Sequence, residues 1–250
     1  MIKLSRTNPP SKLTQDKIDE LTKEFKMTGN SVWRKTYIQR ALSDMSHNKC
    51  AFCECKLGEE SKYMEVEHFY YKDKYKERVV EWDNLLPACK RCNISKSTHD
   101  VGIVPIINPC KEEPNEHMLF KAYRFYKKAD SELGKNTIEV LDLNNHEKVV
   151  MSRFLLGEKI VEKIEEILGL MDGERFNEAD VRLRNKIIRG ISTVLKYSDE
   201  EEEYSATMAS IIYNDENYKE IKRKLIEKGW WSEEMNNRDL HMKKIKFDIK

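Results

Sequence analysis

The chain has 250 residues, of which 39% are hydrophobic and 36% charged, and its formal net charge is +1. This length can bury a substantial core, as one large domain or two small ones. No apolar run approaches the roughly 18 residues that span a bilayer, and the first residues lack the apolar centre of a signal peptide. We therefore expect a cytoplasmic protein with no membrane segment.

The charge is unevenly distributed. A net charge of +1 is too small to hold nucleic acid by bulk attraction. Residues 1–50 nevertheless contain ten Lys and Arg against five Asp and Glu. Any grip on nucleic acid is therefore expected to be local or shared with a partner.

Two helices are predicted near the N-terminus. Thr14 is a suitable cap for a helix over residues 15–26, which Gly29 would end. Ser31 is a suitable cap for a second helix that runs to about Met45. One face of this second helix is expected to pack into a core; it carries Trp33, Tyr37, Ala41 and Leu42.

The chain after about Asn136 is predicted to be helical again. Three apolar stripes indicate buried helix faces. They are Val149, Val150, Phe154, Val161, Ile164 and Leu168; Val181, Ile187, Ile188, Ile191, Val194 and Leu195; and Met208, Ile211, Ile212, Ile221 and Leu225. The acidic residues 199–203 are interpreted as an exposed helix start, and the basic residues 243–250 as a solvated tail.

Two CxxC pairs, Cys50-Ala-Phe-Cys53 and Cys89-Lys-Arg-Cys92, are separated by 35 residues. Two residues between thiols let a tight turn aim both sulfurs at one ion, and two such turns complete a tetrahedron. A structural zinc knuckle is therefore predicted, in preference to two surface thiol pairs. Four thiolates leave no open position for substrate, so this zinc would stabilise the fold rather than catalyse. Cys55 is a competing ligand, and Cys110 has no near partner.

A further set of polar residues is ordered around these pairs. Glu67 and His68 end a short alternating run, Asn84 lies in a Trp-Asp-Asn-Leu-Leu segment, and Asn93 follows the last cysteine. Singly, such residues are more often a strand end, a turn former and a helix cap. Together, with Lys96 one turn after Asn93, they resemble HNH endonucleases of the ββα-metal fold over about residues 48–100.

The resemblance implies a metal-dependent phosphodiesterase. Glu67 and Asn93 would hold one catalytic Mg²⁺ or Mn²⁺ ion, His68 would be the general base, and Asn84 would brace the loop that aims its ring. Phosphodiester hydrolysis needs an activated water, a neutralised phosphate and help for the leaving oxygen. Glu replaces the more usual Asp or His at the first position and Asn replaces His at the third, which leaves the metal preference open.

Several neighbouring residues have two interpretations. Lys96 is expected on a solvated face rather than on phosphate, and His99 and Asp100 are candidate additional ligands or supporting residues. Residues 70–78 mix tyrosines with basic residues, as a nucleic-acid contact would, or they form a solvated loop.

A narrower resemblance extends over most of residues 30–155. The segments 33–54, 82–85, 106–120 and 137–144 are similar to the HNH subunit of Septu antiphage systems, a type that also accompanies some retrons. It implies an ABC/SMC-like ATPase partner, PtuA, and cleavage of nucleic acid, with DNA favoured over RNA. Trp230 and Trp231 are available as anchors for such a partner. The alternatives are an RNase acting on tRNA in a retron-type system, a free-standing HNH DNA endonuclease, and an inactive zinc-ribbon adaptor.

The predicted fold is α+β and mainly α-helical. Residues 1–46 form N-terminal helices, residues 47–135 an HNH core with its zinc knuckle and an extended segment, and residues 136–250 a C-terminal helical region. The ββα-metal motif is thus inserted between two helical parts.

Overall fold

The computed structural model describes residues 1–58, 63–173, 176 and 178–250. Its contacts divide the chain into two compact units, one of Met1–Met118 with Phe125–Asn144 and the other of Leu119–Arg124 with Asn145–Lys250. The fold is α+β and mostly helical, as predicted. None of the described helices combines the length and apolar composition needed to cross a bilayer.

The elements from the N-terminus to residue 144 are mainly short. They are α1 (Gln15–Thr28), α2 (Thr36–Met45), β1 (Met64–His68), β2 (Leu85–Cys89), α3 (Lys90–Lys96), α4 (Pro114–His117), β3 (Met118–Lys121), β4 (Arg124–Lys127) and α5 (Glu132–Val140). Two 3₁₀ turns, Lys76–Arg78 and Trp82–Asn84, lie between β1 and β2.

The two N-terminal helices form, with one correction. The Thr14 side chain accepts from the Lys17 amide, and Gly29 ends α1 in the left-handed conformation at φ 71°. The second helix begins at Thr36 after Lys35, without a side-chain cap, so the prediction of Ser31 as its cap is wrong. Trp33 is buried as predicted, but it lies in the turn before α2 rather than on its face.

Strands β1 and β2 pair antiparallel and frame the site. The register sets Met64 opposite Cys89 and His68 opposite Leu85. Helix α3 starts directly after β2 and packs on both strands. Because strand side chains alternate, Glu65 and Glu67 share one face of β1, and Val66 and His68 share the other.

The second unit is built mainly from helices. Its elements after residue 144 are a π-helix (His146–Val150), α6 (Met151–Gly169), α7 (Val181–Lys196), α8 (Ser205–Asn214), α9 (Glu216–Glu227), α10 (Glu233–Ile245) and β5 (Asp248–Ile249). Residues 199–203 form turns and α8 begins at Ser205, so the predicted acidic helix start is wrong.

The chain end is also different from the prediction. Residues 243–250 were expected to be a solvated tail, but Phe247 is fully buried. Asp248 and Ile249 pair in parallel with Leu119 and Phe120 of β3. Strand pairing with a distant segment satisfies backbone groups that a tail would leave to water.

Helix α6 buries a face shifted from the predicted stripe. Its buried residues are Arg153, Gly157, Ile160, Ile164 and Ile167, whereas Phe154 is 40% exposed. A Cβ atom at Gly157 would come within 2.6 Å of the Tyr123 ring and 2.8 Å of Ile211, so a larger residue would require these side chains to shift. An apolar pattern does not count an arginine or a glycine as core, which is why the predicted face was displaced.

Candidate functional site

Four cysteine sulfurs meet at the base of the β1–β2–α3 framework. The Sγ atoms of Cys50, Cys53, Cys89 and Cys92 lie within 4.8 Å of one another, and all four residues are buried. The Cys53 and Cys89 sulfurs are 3.7 Å apart. A tetrahedral zinc ion with Zn–S bonds of about 2.3 Å requires sulfurs about 3.8 Å apart. The predicted cluster is confirmed, and its spacing and chemistry fit a metal ion such as zinc.

Local backbone structure forms each half of this cluster. The Cys50 amide donates to Cys55 O at 2.9 Å and the Glu54 amide to Cys50 O at 2.9 Å, with Glu54 in the left-handed region at φ 64°. The Ala51 amide donates to Pro87 O at 2.9 Å, which ties this turn to β2. Cys89 is both the last residue of β2 and the cap of α3, so the strand–helix junction sets the second pair.

The four sulfurs shift one another's pKa in opposite directions. The hydrogen bond with Cys50 lowers the pKa of Cys89 to about 4 and the pKa of Cys53 as well. Burial raises the pKa of Cys50, and the hydrogen bond with Cys50 raises the pKa of Cys92. The Arg91 guanidinium donates to Cys92 Sγ at 3.0 Å and to the carbonyl of Leu141 at 3.0 Å. A cation at this place offsets part of the negative charge that four thiolates and one Zn²⁺ would leave.

Cys55 is buried beside the cluster but is not one of its four members. Its backbone carbonyl holds Cys50, which explains its place in the turn. Cys110 is half-buried, and burial raises the pKa of its thiol. The first CxxC pair therefore uses Cys53 rather than its competitor Cys55.

Glu67 forms a buried ion pair with Lys96. Its carboxylate Oε1 lies 2.6 Å from Lys96 Nζ, and the two side chains are 3% and 0% exposed. The same ammonium donates to the backbone carbonyl of His68 at 2.9 Å. The expectation that Lys96 lies on a solvated face is wrong, because it is on the side of α3 that packs on β1. Burial raises the pKa of Glu67 to about 7, although Lys96 acts to lower it.

The His68 ring is fixed on the other face of β1. Its Nε2 lies 2.9 Å from the carbonyl of Val79, and its ring meets the Trp33 ring edge-on at 4.7 Å. A carbonyl only accepts, so Nε2 carries the proton and Nδ1 holds the lone pair of the neutral ring. Burial lowers the pKa of His68 to about 4, against the Val79 contact, which raises it. At neutral pH this side chain is an uncharged proton acceptor.

Asn84 is completely buried and holds the chain between the two strands. Its Oδ1 accepts from the Tyr70 amide at 2.7 Å, and its Nδ2 donates to Tyr70 O at 3.1 Å and Arg78 O at 2.9 Å. We call residues 69–84 the connecting loop. Because Arg78 precedes Val79, these bonds also fix the carbonyl that holds the His68 ring.

Asn93 is half-buried on α3 and contacts Glu65, which is not among the residues of the predicted site. Its Nδ2 donates to the carboxylate of Glu65. The negative charge of Glu65 also raises the pKa of Glu67, in addition to the larger effect of burial. The Glu-Val-Glu alternation before His68 was an available signal, since it places both acids on one strand face.

His99 and Asp100 contact loops beside this framework. His99 Nε2 lies 2.7 Å from Val104 O. Asp100 accepts from the Tyr75 hydroxyl at 2.8 Å and pairs with Lys74. In the same connecting loop the Arg78 guanidinium lies 4.0 Å from the Tyr70 ring centroid. The aromatic and basic residues of the loop therefore contact one another, and Asp100 is joined to them.

No protein-family model matches the sequence. The Septu protein PtuB of Bacillus thuringiensis is 45% identical over 94% of this chain and 90% of its own length. The Septu protein PtuB of Bacillus mycoides (strain KBAB4) is 26% identical over 65% of this chain and 66% of its own length. The first of these similarities covers nearly the whole of both proteins at high identity, and the chain therefore belongs to the Septu PtuB family.

Proposed function

We propose that this chain is a metal-dependent HNH endonuclease that hydrolyses phosphodiester bonds, DNA by preference, in antiphage defence. Membership of the Septu PtuB family supports the defence role. One observation carries the chemistry: a loop fixed by buried Asn84 holds the neutral ring of His68, the residue that follows Glu67 at the end of β1. A general base must be held in place and unprotonated, and the neutral imidazole of His68 meets both conditions.

In this proposal His68 accepts the proton of the attacking water at Nδ1. The hydrogen bond from Nε2 to Val79 O keeps the proton on the far nitrogen and leaves the lone pair on Nδ1. Trp33 packs on the ring and limits its rotation. Asn84 acts indirectly, because it holds the loop that supplies the Val79 carbonyl.

The oxygen donors of the site fit a hard cation. Glu67 provides a carboxylate and Asn93 an amide oxygen, which are ligand types that Mg²⁺ and Mn²⁺ accept alongside water and phosphate. Such an ion, when bound, neutralises phosphate charge and stabilises the leaving oxygen. Lys96 forms an ion pair with the Glu67 carboxylate and donates a hydrogen bond to the His68 carbonyl. The zinc of the four-cysteine cluster would be structural.

Cleavage assays test this proposal. The purified full chain is incubated with Mg²⁺ or Mn²⁺ and supercoiled plasmid, linear duplex DNA or bulk tRNA, with EDTA as the control. We expect metal-dependent nicking of the plasmid. Cleavage of tRNA but not of DNA would show that the chain is an RNase rather than a DNase. Failure to cleave any of these substrates, with or without an ATPase partner, would overturn the proposal.

We also propose that the chain acts as a subunit with an ABC/SMC-like ATPase, PtuA. The net charge of +1 supports this, because a nearly neutral nuclease grips nucleic acid weakly alone. The second unit exposes an apolar ridge on α6, made of Met151 (40% exposed), Phe154 (40%) and Leu155 (62%). Their i, i+3, i+4 spacing places them on one helix face, as helix-docking surfaces require.

The two tryptophans are less suited to this contact than the ridge. Trp230 packs on Phe176 at 5.6 Å and Trp231 lies under Lys222 at 5.6 Å, both within the second unit. Co-purification with the ATPase therefore compares Leu155→Glu with Leu240→Glu, a control at a residue 56% exposed on α10. We expect only Leu155→Glu to lose the ATPase. Efficient cleavage by a wild-type chain that binds no ATPase would contradict the subunit role.

A further inference from the structure

Glu65 has no part in the function proposed above, yet its carboxylate is bound to one of the site residues. It lies two residues before Glu67 on the same face of β1, opposite Ala88 of β2. Its Oε2 accepts a hydrogen bond from Asn93 Nδ2 on α3. Both side chains are half-buried, so this bond joins strand and helix at the edge of the site.

This bond determines which end of the Asn93 amide is available to a ligand. A carboxylate only accepts hydrogen bonds, so only the NH₂ end of the amide can face Glu65. The oxygen Oδ1 is then directed away from Glu65. A hard cation binds the oxygen of an amide and not its NH₂ group, so the reversed orientation would be unable to hold it.

We propose that Glu65 is a positioning residue, which fixes the Asn93 amide with Oδ1 presented to the catalytic divalent ion. This rests on the proposed function, in which Asn93 is a ligand of that ion. Partners that orient metal ligands typically contribute about 10–100-fold to metal affinity. Without the Glu65 acceptor the amide is free to rotate, and its NH₂ end then competes for the place of the oxygen.

Two substitutions separate orientation from charge. Glu65→Gln keeps an oxygen that accepts from Asn93 but removes the charge, whereas Glu65→Ala removes both. Mn²⁺ binding to the zinc-loaded full chain is measured from the free-ion EPR signal, with a short phosphorothioate duplex present. We expect Glu65→Ala to weaken Mn²⁺ binding roughly 10–100-fold and Glu65→Gln to restore most of that loss. The Mn²⁺ concentration for half-maximal cleavage should shift in parallel, with the rate recovered at saturating Mn²⁺.

A double substitution tests whether Glu65 acts through Asn93. In an Asn93→Ala background, Glu65→Ala should change Mn²⁺ affinity no further, because the amide it orients is gone. Equal losses in Glu65→Gln and Glu65→Ala would show that the charge itself matters and would overturn the proposal. Unchanged affinity in Glu65→Ala would overturn it as well.

Zinc content and melting temperature confirm that each variant is folded. If Glu65→Ala fails to fold, Glu65→Met replaces it, because methionine keeps the chain length and lacks the oxygen acceptor. Glu67→Ala is the positive control for lost Mn²⁺ binding. Failure of the wild type to bind Mn²⁺ and to cleave would overturn the proposed function together with this inference, whereas a normal wild type with a normal Glu65→Ala overturns the inference alone.

Discussion

The four-cysteine cluster and the Glu67–His68 site share the β1–β2–α3 framework, but they are held in different ways. Each cysteine pair is positioned by its own turn or junction, and the four sulfurs then need a cation between them. In the polar site each group already has a protein partner, Lys96 for Glu67 and the Val79 carbonyl for His68. The framework should therefore depend on a metal ion in the cluster, such as zinc, while the polar site should depend on residues that are distant in the sequence.

The largest expected effect is loss of the structural metal. Cys92→Ser should release zinc and unfold the first unit around the cluster, because binding and folding are one equilibrium worth on the order of 10 kcal/mol in small zinc units. Cys55→Ser is the matched control, since Cys55 is buried beside the cluster but outside the four. Elemental analysis and thermal melting report both. If the Cys92→Ser protein kept one zinc ion and its melting temperature, Cys92 would not be a ligand of the metal.

The next largest effect is expected from breaking the buried ion pair. Lys96→Met leaves the Glu67 carboxylate, 3% exposed, without its cation, which costs about 3–5 kcal/mol for a buried pair. The control is Lys90→Met, an exposed lysine on the same helix. The double variant Glu67→Gln with Lys96→Met should recover part of the lost free energy of unfolding. Equal urea stability of Lys96→Met and Lys90→Met would show that the pair contributes nothing.

A smaller loss is expected at Asn84. Its replacement by alanine leaves the Tyr70 amide and the Tyr70 and Arg78 carbonyls without their partner. Unsatisfied buried groups cost about 1–3 kcal/mol, and the loosened connecting loop should also slow cleavage. Asn237→Ala, at an exposed asparagine of α10, serves as the control. Wild-type stability and cleavage in Asn84→Ala would exclude this bracing role.

The smallest effect is on the pH dependence of stability, to which Glu67 and His68 contribute with opposite signs. The pKa of Glu67 is raised from 4.5 to about 7, so its contribution to stability is complete below pH 4.5 and is lost as the pH rises through 7. The pKa of His68 is lowered from 6.5 to about 4, so its contribution is complete above pH 6.5 and is lost as the pH falls through 4. Between pH 4.5 and 6.5 the two slopes oppose each other in the wild type.

Single substitutions should expose each slope. Relative to wild type, Glu67→Gln should gain stability as the pH rises over this range, and His68→Gln should lose it, each by about 1.4 kcal/mol per pH unit at most. Urea unfolding at several pH values measures both. Using differences from wild type removes the pH dependence that metal binding at the four-cysteine cluster would add. Slopes of the same sign in the two variants would contradict these pKa shifts.

The same contrast between local geometry and distant partners explains which features could be predicted from the sequence. The four cysteine ligands were predictable because CxxC spacing forces a local geometry, and Thr14 and Gly29 marked the ends of α1 for a similar reason. The burial of Lys96 was not predictable, because its partner Glu67 lies on β1, distant in the sequence, and no local pattern indicates their contact. Two further features also depend on residues that are distant in the sequence. They are the pairing of residues 248–249 with β3 and the burial of Arg153 on α6.

The proposed function requires the His68 ring to perform chemistry rather than packing. The most direct test measures nicking of supercoiled plasmid by full-length protein with Mg²⁺ or Mn²⁺, and with the ATPase partner if wild-type cleavage requires it. We expect His68→Ala to lower the rate roughly 10²–10⁴-fold at unchanged zinc content, as loss of a general base does. His99→Ala, whose native ring is held 2.7 Å from Val104 O, should keep the wild-type rate. Wild-type nicking by zinc-loaded His68→Ala would exclude His68 as the general base.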